Sequence, residues 1–105
     1  MKNSQSCIDA CVQCMIECQK CFIGCLDKEG HQSCAKLCID CADICGLCAT
    51  LCARESQFAG ELCALCVKCC EACAAECDKH DMECCKKCAE ACRKCAAECS
   101  KMAAM

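Results

Sequence analysis

The sequence predicts an all-α protein, an antiparallel up-down-up-down four-helix bundle with a cysteine-lined core. Three observations carry that prediction. The 24 cysteines fall into four groups of six, and each group steps mainly by four and three residues, the a/d stripe of one helix face. The residues between them are rich in alanine, glutamate and lysine, which are strong helix formers. The chain has no proline and only four glycines, so little in it breaks a helix.

The first helix is expected over about residues 5–28. It carries Cys7, Cys11, Cys14, Cys18, Cys21 and Cys25, stepping 4, 3, 4, 3, 4. The linker "DKEGHQS" supplies Gly30 as a C′ residue and Ser33 as an N-cap. The second helix, about 33–54, repeats the same step with Cys34, Cys38, Cys41, Cys45, Cys48 and Cys52. "RESQF" places Ser56 at the start of a third helix, about 57–78, with Cys63, Cys66, Cys70, Cys73 and Cys77 on the stripe and Cys69 beside it. "DKHDME" offers Asp81 as N-cap of the fourth, about 82–101, with Cys85, Cys88, Cys92, Cys95 and Cys99 on the stripe and Cys84 beside it. Linkers this short favour antiparallel neighbours. A chain of 105 residues has room for one domain, here expected over residues 1–105.

Composition narrows the chemistry. Dense cysteine in a short chain first suggests a secreted disulfide scaffold, but such scaffolds are loop-rich. The N-terminus "MKNSQSCIDACVQC" lacks the apolar run of a signal peptide, and no stretch is apolar for long enough to span a bilayer. The expected setting is the cytoplasm, where thiols stay reduced and dense cysteine points to metal. A net charge of −3 with mixed signs and two phenylalanines as the only aromatic side chains besides histidine gives neither a basic footprint nor a stacking platform for nucleic acid.

With all four stripes inward, thiols line a tube about 27 Å long at 1.5 Å per residue. One or two core cysteines would simply pack as small hydrophobes; 24 in register would leave a poorly filled, oxidisable core where leucine serves better. Thiolates suit Cu(I), Zn(II) or iron–sulfur clusters, and charge separates the first two. Six tetrahedral zinc ions on 24 thiolates leave 24 − 12, a buried −12, which is very costly. Cu(I) at about one ion per thiolate leaves the tube near neutral. Cysteines at i and i+4 lie one above the other on a helix face, so C-x-x-x-C pairs at 7/11, 14/18, 21/25, 34/38, 41/45, 48/52, 66/70, 73/77 and 95/99 can each clamp one near-linear ion.

At "CIDACVQCMIECQKCFIGC", "CADICGLCATLC" and "KHDMECCKKCAEACRKCAAEC" the chain resembles the bacterial copper storage proteins, above all their cytosolic branch. The resemblance implies a four-helix bundle filled with cysteine-bound Cu(I), reversible storage, no catalysis, and oligomers, commonly tetramers. Two features depart from the family pattern. The second ladder is unbroken, and Met82 and Cys84 stand where relatives tend to carry histidines before the fourth helix.

Competing readings are a metallothionein-like zinc or cadmium sequestrant, a thiol–disulfide redox protein and an iron–sulfur carrier. The first would show C-x-C spacing, the second one distinguished C-x-x-C pair, and the third isolated ligand sets; none is present. The expected partners are copper ions and their donors and acceptors, with no nucleic acid and no membrane. His31, His80 and Met82 fall at the same end of the predicted bundle and are candidate receiving ligands for Cu(I). The N-terminus, Phe58 and Met102 fall at the other end and are expected to plug it. On helix 1, Ile16 and Ile23 lie opposite the core, which predicts a homo-oligomer with that face at the contact. The charges of helix 4 predict a solvated outer face.

Overall fold

The computed structural model describes residues 4–103 and contains four helices: α1 (Ser4–Cys25), α2 (Gln32–Ala53), α3 (Ala59–Cys77) and α4 (Glu83–Ala103). Each helix packs on its two chain neighbours in the cyclic order α1, α2, α3, α4, with no diagonal backbone contact among the described residues. That is the up-down-up-down arrangement. The bundle measures 42 × 17 × 17 Å between Cα atoms. Its narrowness follows from the core: cysteine and alanine let four backbones approach where leucine would hold them apart.

The helix termini depart from the expected caps. α1 stops at Cys25, earlier than expected, and Gly30 is not its C′ residue; it turns the following loop with φ +84°, a conformation glycine adopts freely. Ser33 lies inside α2, whose first intrahelical bond runs from Ala35 N–H to the His31 carbonyl. Ser56 precedes α3 by three residues, accepting the Phe58 N–H at its hydroxyl and the Ala59 N–H at its carbonyl. Asp81 is no cap either. The Met82 carbonyl takes the first bonds of α4, from Cys85 and Lys86, while Asp81 pairs with Lys86 at 3.2 Å. At the end of α2, Ser56 N–H reaches the Leu51 carbonyl and Glu55 N–H the Cys52 carbonyl. That is a Schellman ending with Glu55 at φ +54° in the left-handed position glycine usually fills.

The core holds sulfur and alanine. Twenty-two cysteines are buried, together with Ala10, Ala35, Ala42, Ala49, Ala59, Ala74, Ala89, Ala96 and Met102, and no polar or charged side chain is buried among the described residues. Larger side chains seal the seams: Ile8, Met15 and Phe22 from α1, Leu37, Ile44 and Leu51 from α2, Leu62 and Val67 from α3. At the α1–α2 seam a methyl on Gly46 would stand 3.1 Å from the Met15 sulfur. Glycine makes room there for a long side chain from α1.

The outer surface is uneven. Ile16 and Ile23 are exposed, 39% and 67%, beside Val12 and Leu26, as their helix positions require. A second apolar area lies in a groove of about 330 Å³ between α2 and α3, lined by Leu47, Leu51, Phe58, Leu62 and Leu65. On α4, Lys86, Lys87, Glu90, Arg93 and Lys94 face solvent, and Arg93 ties to Asp78 at the end of α3. No helix is long and apolar enough to cross a membrane among the described residues.

Candidate metal centre

Because a/d positions of all four helices converge, the sulfurs meet along the bundle axis. Neighbouring helices bring Cys7 and Cys99 to 3.6 Å, Cys34 and Cys77 to 3.6 Å, and Cys48 and Cys63 to 3.6 Å. Sulfurs also touch across the diagonal, Cys14 to Cys70 at 3.9 Å and Cys45 to Cys95 at 3.9 Å. The tube is thus filled with thiols from wall to wall.

Five of the nine i, i+4 pairs marked in the sequence have sulfurs 3.8 to 3.9 Å apart: 14/18, 21/25, 41/45, 66/70 and 95/99. The pair 88/92, at 3.9 Å, joins them. Each of these six pairs has a third sulfur from a neighbouring helix. Cys92 lies 3.7 and 3.9 Å from Cys14 and Cys18, and Cys85 lies 3.7 Å from both Cys21 and Cys25. Cys70 stands 3.7 and 3.8 Å from Cys41 and Cys45, and Cys11 stands 3.6 Å from both Cys95 and Cys99. Cys18 and Cys45 complete the pairs 88/92 and 66/70.

These are triangles, where the sequence suggested linear clamps on single helices. With metal–sulfur bonds of about 2.3 Å, a three-coordinate ion needs sulfurs about 4.0 Å apart and a linear one about 4.6 Å. The observed edges are close to the trigonal value. Triangles share corners: Cys45 belongs to 41/45/70, 45/66/70 and 45/66/95, so its sulfur is placed to bridge ions. Wider sets with all sulfurs within 4.8 Å include Cys7, Cys48, Cys63 and Cys99 at one end, and Cys18, Cys73, Cys88 and Cys92 nearer the other.

Thiol protonation reflects the packing. Burial pushes Cys25 up to about 11, and Cys52 and Cys63 up to about 12. Cys77 moves down to about 4 because Cys21, then Cys38, hydrogen-bond to it. One thiolate in such a cluster is favoured by surrounding S–H groups, whereas a second one nearby is opposed by like charge.

Cys69 and Cys84, which stand off the stripes, are half-buried at the tube wall. At the end made by the α1–α2 and α3–α4 loops, His31 Nδ1 lies 3.4 Å from Cys25 Sγ, and its ring stacks on His80 with centroids 3.9 Å apart. His80 Nε2 in turn meets Glu76 at 3.2 Å, and that bond draws the Glu76 carboxyl below its ordinary range. The structure brings the two histidines together, and Met82 is half-buried at the same end. At the far end Met102 is buried, but Phe58 is 58% exposed and plugs nothing. It lies instead on the α2–α3 groove, as the residue just before α3. The N-terminal residues expected there fall outside the described range.

The comparisons agree with this geometry. The family model of the copper storage proteins matches residues 1–104, while no curated protein sequence matches the chain. Metal-free copper storage protein 3 from Bacillus subtilis is 47% identical with a TM-score of 0.91, covering 95% of this chain and 98% of that one. Its Cu(I)-bound form has the same identity and TM-score over 95% and 97% of the two chains. A cytosolic copper storage protein from Streptomyces lividans, bearing five coppers, is 31% identical with a TM-score of 0.91 over 96% and 92%. With a sulfur-filled four-helix bundle and a family match over nearly its whole length, the chain belongs to the copper storage protein family.

Proposed function

We propose that this protein is a cytosolic store that sequesters many Cu(I) ions on the thiolates of its tube and performs no catalysis. The observation that carries the reading is the run of corner-sharing sulfur triangles along the axis, in a core without one buried charged side chain among the described residues. Only ions that bring one positive charge per thiolate fill such a core at low electrostatic cost. All 24 cysteines serve as ligands in this reading, 22 inside and Cys69 and Cys84 at the wall. His31, His80 and Met82 form the receiving end, where soft ligands take Cu(I) from donors and return it to acceptors. The whole chain acts as one storage domain.

Elemental analysis of protein purified from copper-supplemented and zinc-supplemented cells tests the metal. Copper should dominate in the first and zinc should stay at or below a few ions in the second. Zinc at or above the copper level would favour the metallothionein-like reading.

The store should also be a homo-oligomer, with α1 at one contact and the α2–α3 groove available for another; a tetramer with two kinds of interface needs two such patches. Ile16→Glu with Ile23→Glu buries charge at the α1 contact and should lower the assembly mass in sedimentation, leaving copper capacity per chain unchanged. A wild type that sediments as a monomer at every concentration would remove this assignment.

A further inference from the structure

At the receiving end the rings of His31 and His80 pack together at an interplanar angle of 36°, His31 on Cys25 and His80 on Glu76. Beside them, at the α1–α4 seam, two sulfur side chains converge on Gly24. A methyl on that residue would stand 2.7 Å from Cys84 Sγ and 3.8 Å from the Met82 methyl carbon. The first distance is shorter than any real contact, so the Cys84 sulfur occupies the space a side chain at position 24 would fill. Cys84 is half-buried, with solvent on one side. Behind it stands the outermost complete triangle of the tube at this end, Cys21, Cys25 and Cys85, with edges of 3.7, 3.7 and 3.9 Å.

We infer that Met82 and Cys84, seated on Gly24, form a transfer site at the α1–α4 seam that carries Cu(I) from the receiving end into the Cys21–Cys25–Cys85 triangle. The inference rests on the storage reading above and names its port. The chemistry is graded. A thioether is a neutral, weak soft ligand, a half-buried thiol binds more strongly, and three convergent thiolates hold the ion. Transfer is ligand exchange with no change in oxidation state. The Cys84 thiol gives up its proton to solvent as it takes the ion. It regains a proton when the triangle's thiols replace it, Cys25 and Cys85 each releasing its own proton as it binds the ion. The donor class this suits is a Cu(I) complex of a small thiol or chelator, which exchanges ligands one at a time.

Stopped-flow loading of the reduced full-length protein from a Cu(I) chelate tests the inference. Met82→Leu with Cys84→Ser keeps the shape of both side chains and should slow uptake about ten-fold, the two lost sulfur ligands together raising the exchange barrier by about 1.4 kcal/mol. Gly24→Ala keeps every sulfur and both histidines but drives the Cys84 sulfur from its seat, and it should slow uptake similarly. Gly60→Ala, where the added methyl meets nothing within 4 Å, should load like wild type and controls for a glycine replaced within a helix. Capacity in both slow variants should stay within one or two ions of wild type. Wild-type rates in Met82→Leu/Cys84→Ser would overturn the port, and that variant decides the matter if Gly24→Ala does not fold. A wild type that binds only a few ions would instead remove the storage reading itself.

Discussion

Titrated anaerobically with Cu(I) against a competing chelator, the reduced protein should saturate at about one ion per cysteine, near 24 per chain. Two features set that number. Each Cu(I) neutralises one thiolate, so the filled tube carries little net charge, and buried unpaired charge is the largest cost such a core can meet. Corner sharing then lets three-coordinate ions outnumber separate three-sulfur sites: Cys45 alone stands in three triangles. Tetrahedral ions without bridging would need four sulfurs each and stop near six. Saturation at that lower value would mean that the sulfurs act as separate four-ligand sites and that charge neutrality does not govern filling.

The reduced protein without metal should already be helical at neutral pH. Strong helix formers, short connections and the Ile, Leu, Met and Phe seams do not depend on an ion, and most of the buried thiols are shifted upward, keep their protons and add no charge. Circular dichroism should show high helicity at pH 7, and a disordered metal-free chain would place the protein with those that fold only on metal. Alkali should undo the metal-free form. Cys25, Cys52 and Cys63 have folded-state values raised to about 11, 12 and 12, against about 8.5 in an unfolded chain. Their contribution is complete below about 8.5 and is lost as pH rises through the folded values. Cys77 moves the other way, with Cys7, Cys14, Cys21, Cys41, Cys66, Cys73 and Cys95, so their contribution is complete above about 8.5 and does not mask the loss. Every tenfold gain in a thiol's proton affinity on folding corresponds to about 1.4 kcal/mol. Melting temperature should therefore fall between about pH 8.5 and 12, and a flat profile there would mean that the thiols ionise freely within the fold.

The ladder made much of this legible in advance. Period-3.5 cysteines fixed the number of helices, their inward faces and the exposure of Ile16 and Ile23, because a helix position determines direction. Caps were harder to foresee. Ser33 and Asp81 have the right chemistry for an N-cap, yet the inward phase of Cys34 and Cys85 and the paths of the two loops set the helix starts. Glu55 in a left-handed ending leaves no signal, since glycine is the usual marker. Metal geometry also escaped a one-helix view. Spacing within α1 shows that Cys21 and Cys25 pair, but the approach of Cys85 depends on how α4 packs. The stacking of His31 on His80 likewise needs two loops in space, although both lie at the end where the topology placed them.

The Met15 notch in Gly46 has a consequence for how the chain finds a single alignment. A core of cysteine and small alanine repeated by the heptad cannot tell one heptad from the next: sliding α2 along α1 by seven residues would set cysteine against cysteine again. Register must therefore be written outside the sulfur. Met15 fits where Gly46 leaves space, and at Ile39, seven residues back and one heptad away, a β-branched side chain stands in the way. The loops, the Cys84 seat on Gly24 and the Asp78–Arg93 tie restrict sliding elsewhere. Identity in this bundle resides in its seams, which leaves the interior free to be chemically uniform.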